Sequence, residues 1–453
     1  MKKSVLWSLR LGFSSAQAEK IELLGINGFL NNAFNVEVDT TLPSFLEDAP
    51  KNLKDYNELR KKIQSYSAEE KKNFNIKQRK VAIELQKWWL AKMMSSEYPL
   101  LENMVCFWHN HFVSTQQKVK VNYWIYQHHM ILRQHAFGNF KTLTKQIITS
   151  NAMINYLDNA KNRNNNFNEN LSRELLELFT LGIGNYSEND IKNGAKALAG
   201  LNYGDEHGVY RRFISNNDTL TYLGRTGVFK VDDIVDIIFE HPKIPYLITK
   251  KLLQWFIEDD PKDEKIKALG DFFREVDFEI KPLLIKMFNE AYQDHTSGTK
   301  IKDPLRYILQ LINELNINIE KPEYILFFLR QQGMELFNQP NVKGWDGGNS
   351  WLSSQTFLQR NNVADLICMG KLMRGKKMES NAKPKIGLFT REMTQKEIIK
   401  SLTDNLIFKV SDDIEEDMEA ILKYDFDAKS PNADTAMLRA FNHLIKTPEF
   451  QVI

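Results

Sequence analysis

The residues with the clearest potential for chemistry lie on one short segment, residues 168–184. At about 100° per residue, four polar side chains fall on one side of a helix, and the opposite side carries Leu171, Leu175, Leu178 and Phe179. The four polar side chains are Asn170, Arg173, Glu174 and Glu177. If the polar side faces inward, the arginine would orient two carboxylates for acid–base work or metal binding. If it faces solvent, an Arg173–Glu177 pair would add roughly a few tenths of a kcal/mol.

A second segment, residues 107–112, contains Asn110, a candidate ligand-binding residue, between two histidines. His109 and His111 are two residues apart, so on a helix they point nearly opposite ways and cannot share one pocket. His111 shares a stripe with apolar residues, where a polar ring is unusual. It is either a core histidine satisfied by a carbonyl or carboxylate, or the acid–base partner of Glu174.

A metal site is the third alternative for these residues. His128 and His135 are seven residues apart and lie on one face of a predicted helix. Packed beside His111, they would meet Glu174 in a site of three imidazoles and one carboxylate, which suits zinc or iron. The chain lacks the His-Glu-x-x-His and Glu-x-x-His patterns typical of such sites. The cofactor therefore stays unknown, a metal is not favoured, and no residue is assigned as its ligand.

A loop over residues 338–352 combines three glycines with Trp345 and Trp351. Glycine permits close backbone approach, and indoles can stack on a sugar or another flat group. With Lys343, this loop would form a lid over a ligand, or it would be a structural loop fixed by two buried indoles. Asp158, before an asparagine-rich turn, and Glu169 complete the candidate ligand-binding residues. Glu169 lies in the first turn of the helix predicted over residues 168–184, the signature helix.

Helical periodicity dominates the rest of the chain and predicts a mainly α protein, with 1–453 as one large helical domain. Residues 204–230 carry no helical stripe and predict a long irregular loop with at most a small β-hairpin. The loop at 338–352 is the second long irregular segment. Residues 375–392, rich in lysine, predict a mobile loop.

The composition limits the function classes. The 453 residues include 60 basic and 58 acidic side chains, a net charge of +2, which is not typical of a nucleic-acid-binding protein. The chain contains no run of 18 apolar residues, so the sequence predicts no membrane span. Cys106 and Cys368 predict buried free thiols. Arg10 interrupts the apolar stretch of the N-terminus, so we expect a soluble cytoplasmic protein, with a periplasmic or exported location as the alternative.

These segments together resemble the bacterial domain-of-unknown-function 1800 (DUF1800) family across nearly the whole chain. The matching text includes Leu9-Arg10-Leu11-Gly12-Phe13, Phe107-Trp108-His109-Asn110-His111-Phe112, the stretch from Asn168 to Gly182, and Asn341-Val342-Lys343-Gly344-Trp345. The resemblance implies an all-helical fold, no established reaction, frequent export, and a companion protein of a sulfatase-like or phosphatase-like family. The family's histidine-aspartate pair is Asn217-Asp218 here, which puts a role for that histidine in doubt.

The resemblance favours a buried polar centre over an exposed helix face, because the matching segments contain the candidate residues. The resulting hypothesis is a hydrolase or transferase acting on a glycan or on a phosphate or sulfate ester. Glu174 would be its general acid or base, His111 its partner and Arg173 an orienting group or anion clamp. The alternatives are a non-catalytic binding or assembly protein with a structural polar network, and a metalloprotein.

Overall fold

The computed structural model describes residues 1–294, 297–369, 388–423 and 426–453. Most of the segment 375–392, predicted to be a mobile loop, lies outside these ranges. The described structure is 64% helical, which confirms the mainly α prediction. None of the helices in the described ranges is long and apolar enough to cross a membrane.

The N-terminal half consists of nine α-helices in the described residues. They are α1 (Lys3–Leu11), α2 (Ala18–Phe34), α3 (Leu53–Ser65), α4 (Ala68–Ser95), α5 (Leu100–His111), α6 (Gln116–Val119), α7 (Asn122–Gln134), α8 (Phe140–Ile148) and α9 (Asn151–Tyr156). Residues 139–158 contain two helices, α8 and α9. The break falls at Ser150, whose side chain accepts the backbone N–H of Met153 and so caps α9.

The signature segment and four short strands follow. They are α10 (Asn170–Glu174), a π-helix (Leu175–Thr180), α11 (Glu188–Leu198), β1 (Leu201–Asn202), β2 (Val209–Tyr210), β3 (Leu220–Tyr222) and β4 (Arg225–Gly227). Ser187 caps α11 by accepting the N–H of Asp190 at 3.2 Å, as its sequence predicts.

The strands form two antiparallel two-stranded sheets, β1–β2 and β3–β4, where one hairpin at most was predicted. Tyr222 pairs with Arg225, so the β3–β4 turn has only two residues. These residues, Leu223 and Gly224, have φ values of 46° and 81°, which suits a tight hairpin turn.

The remaining helices complete the C-terminal part. They are α12 (Val231–Glu240), α13 (Ile244–Phe256), α14 (Asp263–Glu275), α15 (Ile280–Gln293), α16 (Pro304–Glu314), α17 (Glu323–Gln331), α18 (Ser354–Met369), α19 (Gln395–Leu406), α20 (Asp412–Lys423) and α21 (Ala433–Leu444). Buried apolar side chains from Val5 to Ile453 form one contiguous core. The assignment of 1–453 to one domain stays a prediction.

Helix α5 lies in the centre of this core, and all but one of its residues are buried. Its Glu102 accepts hydrogen bonds from the guanidinium of Arg133 in α7, at 2.5 and 2.7 Å, and from the indole of Trp89 in α4, at 3.1 Å. Because these partners satisfy the buried carboxylate, they fix α5 between two neighbouring helices. The C-terminal end of α5 carries Asn110 and His111 to the candidate site.

Both cysteines are free and buried, as predicted. Burial raises the pKa of the Cys106 thiol well above its usual value and that of Cys368 to about 12. Neither thiol is therefore activated as a nucleophile.

Candidate functional site

The signature helix changes its hydrogen-bonding pattern halfway along. Helix α10 continues into the π-helix, where the N–H of Leu181 donates to the carbonyl of Leu176, five residues earlier, at 2.9 Å. The hydroxyl of Thr180 donates to the carbonyl of Leu175 at 2.5 Å. Because a π-turn is wider than an α-turn, the rotation of 100° per residue used for prediction fails after Glu174. Such wide turns often occur at functional sites.

Glu174, at the junction of α10 and the π-helix, is half-buried. Burial raises the pKa of its carboxyl group, and the negative charge of Glu177 raises it further. The nearby charges of Arg173 and Lys343 oppose this shift. Among the described residues, no side chain donates a hydrogen bond to Glu174. Its carboxyl group is thus partly desolvated, and no protein side chain in the described ranges occupies its oxygens.

Glu177 is also half-buried, but its carboxylate has a partner. The hydroxyl of Tyr186 donates to it at 3.0 Å. Burial and this hydrogen bond raise the pKa of Tyr186 to about 12, so the tyrosine stays a donor at neutral pH. Glu177 is therefore held in place beside Glu174.

Arg173 does not form the expected pair with Glu177. Its guanidinium donates to both carboxylate oxygens of Glu188, each at 3.1 Å, and to Glu169 at 3.0 Å. The hydrogen bond with Glu188 is the main cause that raises the pKa of Arg173. Arg173 therefore joins α10 to α11 at the surface, and the predicted ligand residue Glu169 is part of this network. Asn170, also predicted to bind a ligand, is exposed beside it.

His111 is buried, with both ring nitrogens in hydrogen bonds. Its Nε2 lies 3.1 Å from the carbonyl oxygen of Phe179, and its Nδ1 lies 3.3 Å from Nζ of Lys251 in α13. A carbonyl only accepts and an ammonium only donates, so the ring is neutral with its proton on Nε2. Burial, and then the charge of Lys251, lower the pKa of His111 well below its usual value. The carbonyl partner agrees with the core-histidine alternative.

Lys251 is a residue that the sequence analysis missed. Its ammonium group donates to the carbonyl of Leu178 at 3.0 Å as well as to His111. Burial lowers the pKa of Lys251 to about 8. The sequence does contain a signal for Lys251. It follows Ile248 by three residues and precedes Trp255 by four, and this helical spacing places the lysine on the same side of α13 as these two buried residues.

The glycine-tryptophan loop packs directly against α5. The side-chain oxygen of Asn110 accepts the backbone N–H of Trp345 at 2.6 Å. Gly344 has a φ of +94°, and a Cβ atom there would overlap both oxygens of Asn110. This position therefore requires glycine. The loop places Lys343, an exposed residue, close enough to Glu174 to affect its pKa.

The indoles of Trp345 and Trp351 are both buried, at 4% and 5% exposure. Neither presents a face on which a sugar could stack, so the structure agrees with the alternative of a structural loop. The Nε1 of Trp345 is buried and has no hydrogen-bond partner in the described part of the chain.

Asp158 lies on a tight turn with a φ of +56°. Burial opposes its ionisation, but hydrogen bonds from Lys161 at 2.7 Å and Lys118 at 3.0 Å outweigh this effect and lower its pKa. Lys118 also lies 5.3 Å above the ring of Tyr156, whose pKa is raised by burial and then by Glu174. Asp158 thus lies in the same neighbourhood as Glu174, although both of its oxygens are paired.

A family model described as "Protein of unknown function (DUF1800)" matches residues 4–452. The chain belongs to the DUF1800 family. No curated protein matches the chain. No solved structure matches it either.

In this DUF1800 member, the imidazoles do not gather around Glu174 as the metal alternative required. His128 donates from Nε2 to the carbonyl of Phe112 at 3.0 Å, and His135 is half-buried elsewhere on the helix end. Within the described ranges, no group of three His, Cys, Asp or Glu side chains is arranged to hold a metal ion.

A buried pair of histidines lies on the other side of α5. Nε2 of His109 is 3.0 Å from Nδ1 of His129, and the indole of Trp89 packs against both rings. Burial lowers the pKa of each imidazole well below its usual value. The sequence predicts correctly that His109 and His111 face opposite ways, but not that His109 meets His129.

Proposed function

We propose that this protein is an acid–base enzyme, a hydrolase or transferase, with the carboxyl group of Glu174 as its proton donor and acceptor. The observation that carries the proposal is the state of this carboxyl group. It is half-buried, lacks a hydrogen-bond partner in the described part of the chain, and has a raised pKa. A general acid must keep its proton near the working pH, and burial with a neighbouring carboxylate is the usual way to achieve this.

The surrounding residues take roles that differ from those expected from sequence. Glu177, held by Tyr186, supplies the negative charge that raises the pKa of Glu174. Lys343 supplies a nearby positive charge, which would bind an anionic substituent. His111 and Lys251 brace the carbonyl end of the π-helix and are positioning residues.

The substrate class that fits these groups is a glycan or a phosphate or sulfate ester. Each presents a leaving oxygen that a carboxylic acid can protonate, and each can carry negative charge near a lysine. Because Lys343 is exposed and positively charged, we expect an anionic substrate to contact this lysine first.

A non-catalytic binding protein is the second candidate, and a specific observation favours it. Both ring nitrogens of His111 and the guanidinium of Arg173 are engaged within the protein. Two of the residues predicted to be catalytic therefore stabilise the fold, as a structural polar network would.

The test is turnover of a panel of oligosaccharides and of aryl phosphate and sulfate esters by the wild type and by Glu174→Gln. We expect Glu174→Gln to lower kcat by about 100-fold or more with an unchanged Tm. Glu188→Gln, which removes an exposed carboxylate on the same surface, is the matched control and should stay within a few-fold. Binding without turnover in the wild type would support the second candidate, and equal turnover by Glu174→Gln would refute the first.

A second readout separates a proton-transfer role from a structural one. Because the charge of Glu177 raises the pKa of Glu174, Glu177→Gln should lower it. The limb of the pH–rate profile that reports Glu174 should then move to lower pH. A pH–rate profile of Glu177→Gln that is lower in rate but unchanged in the position of this limb would contradict the proton-transfer role.

A further inference from the structure

A cleft of about 1750 Å³ lies between α3 and α4, with α6 at its base. Helix α3 contains no buried residue, so it stands away from the core. Its first turn is nevertheless fastened, because the N–H of Leu53 donates to Asp205 at 2.9 Å and the ring of Tyr56 packs on Trp124 at 4.6 Å. The volume exceeds the roughly 300–1,000 Å³ of small-molecule sites, which indicates an extended ligand.

The lining of this α3–α4 cleft is strongly basic, with eight Lys and Arg against three Asp and Glu side chains. The whole chain, by contrast, is balanced at 60 basic and 58 acidic residues. Five of the eight pair with no carboxylate in the described part of the chain. These are Arg60, Lys62, Lys71, Arg79 and Lys120. An excess of unpaired cations in a concave surface concentrates anionic ligands.

The neutral lining residues distinguish between classes of anion. Ten of them are asparagine or glutamine, and the side chains of six take part in hydrogen bonds within the protein. The exposed amides of the other four have no hydrogen bond in the described part of the chain and can both donate to and accept from hydroxyl groups. These four are Gln64, Asn73, Asn75 and Gln117. Three of the four aromatic lining residues already contact another ring, since the ring centroids of Tyr66 and Phe74 are 6.2 Å apart and Tyr56 contacts both Trp124 and Tyr203. Nucleic-acid grooves use free aromatic faces to stack bases, so this lining suits a sugar polymer better.

We propose that the α3–α4 cleft binds an acidic polysaccharide, through unpaired Lys and Arg side chains and a surface rich in amides. The lining of the cleft includes Lys118, which pairs with Asp158 and lies over Tyr156. Tyr156 lies close to Glu174. The cleft would therefore guide a bound chain towards Glu174. This last step rests on the proposed function, whereas binding in the cleft does not.

The experiment measures binding of fluorescently labelled polygalacturonate, dextran sulfate, neutral dextran and single-stranded DNA to the full-length protein. The test variant is Lys62→Glu with Lys71→Glu, which reverses two exposed charges of the cleft. The matched control is Lys250→Glu with Lys396→Glu, which makes the same change in charge at exposed positions outside it. We expect the test variant to bind the acidic glycans about tenfold more weakly and the control to match the wild type.

The two acidic glycans distinguish carboxylate from sulfate as the recognised group, and binding of either one supports the proposal. Binding should weaken steeply as salt rises, because exposed charges carry it. Equal binding of neutral dextran, tighter binding of DNA, or an equal loss in the control variant would overturn it. Glu174→Gln should bind like the wild type, so loss of turnover in that variant tests the proposed function separately.

Discussion

Replacement of His128 by glutamine should make the stability of the protein less sensitive to acid. His128 is completely buried, and its Nε2 donates to the carbonyl of Phe112 at 3.0 Å. Burial lowers the pKa of its imidazole to about 4. Glutamine can still donate to that carbonyl but has no proton to gain. The variant thus removes the titration and keeps a neutral donor.

The sign and size follow from linkage. A histidine in the unfolded chain has a pKa of about 6.5, so below that pH the unfolded state binds the proton that the folded state refuses. The stability that His128 contributes is fully present above pH 6.5 and is lost as the pH falls towards 4. A difference of about 2.5 pKa units corresponds to ~3 kcal/mol overall, of which ~2 kcal/mol is lost by pH 5.

The assay is urea unfolding at several pH values between about 7.5 and 5, followed by tryptophan fluorescence. The wild type should lose ~2 kcal/mol more than His128→Gln across this range. Equal pH dependence in both proteins would refute the argument that His128 is buried in its neutral form. His135→Gln, at a half-buried position just after the C-terminus of the same helix, is the control and should change the slope less.

Three further substitutions test the packing around the site. Glu102→Gln leaves the buried guanidinium of Arg133 without its countercharge, and should lower the free energy of unfolding by about 3–5 kcal/mol in urea titrations. Gly344→Ala should cost ~2 kcal/mol or more by the same assay, because its Cβ overlaps Asn110 and its φ is positive. Lys251→Met removes the ammonium group that donates to the imidazole of His111, and NMR titration should show a higher pKa for His111.

Each of these has a matched control in the chain. Glu290→Gln removes one carboxylate of an exposed ion pair and should change stability by less than about 1 kcal/mol. Gly347→Ala has a φ of +73° but no neighbouring atom within 4 Å of the added Cβ, so it isolates the backbone strain. Lys250→Met alters the exposed neighbour of Lys251. A loss as large in a control as in its partner would contradict the packing argument.

The sequence predicts those parts of the structure that follow from local spacing. The amphipathic helices, the serine cap of α11 and the opposite directions of His109 and His111 depend only on neighbouring residues. The π-helix could not be predicted in this way, because a change from four-residue to five-residue hydrogen bonds leaves the apolar pattern nearly intact.

The polar contacts of the site depend on tertiary packing, which spacing does not report. Lys251 reaches His111 across 140 residues of sequence. Arg173 pairs with Glu188 of the next helix and not with Glu177, because α11 packs against α10. Such long-range pairs decide which candidate residues serve structure and which, like Glu174, keep a free carboxyl group.

Glu174 carries a raised pKa because it is partly buried beside Glu177. The most direct measurement is the pKa of its carboxyl group by carbon-13 NMR of glutamate-labelled protein, assigned with Glu174→Gln. We expect a pKa above the usual ~4.3 of glutamate in the wild type, and a lower pKa in Glu177→Gln. A Glu174 that titrates at or below that value, unchanged by Glu177→Gln, would contradict it.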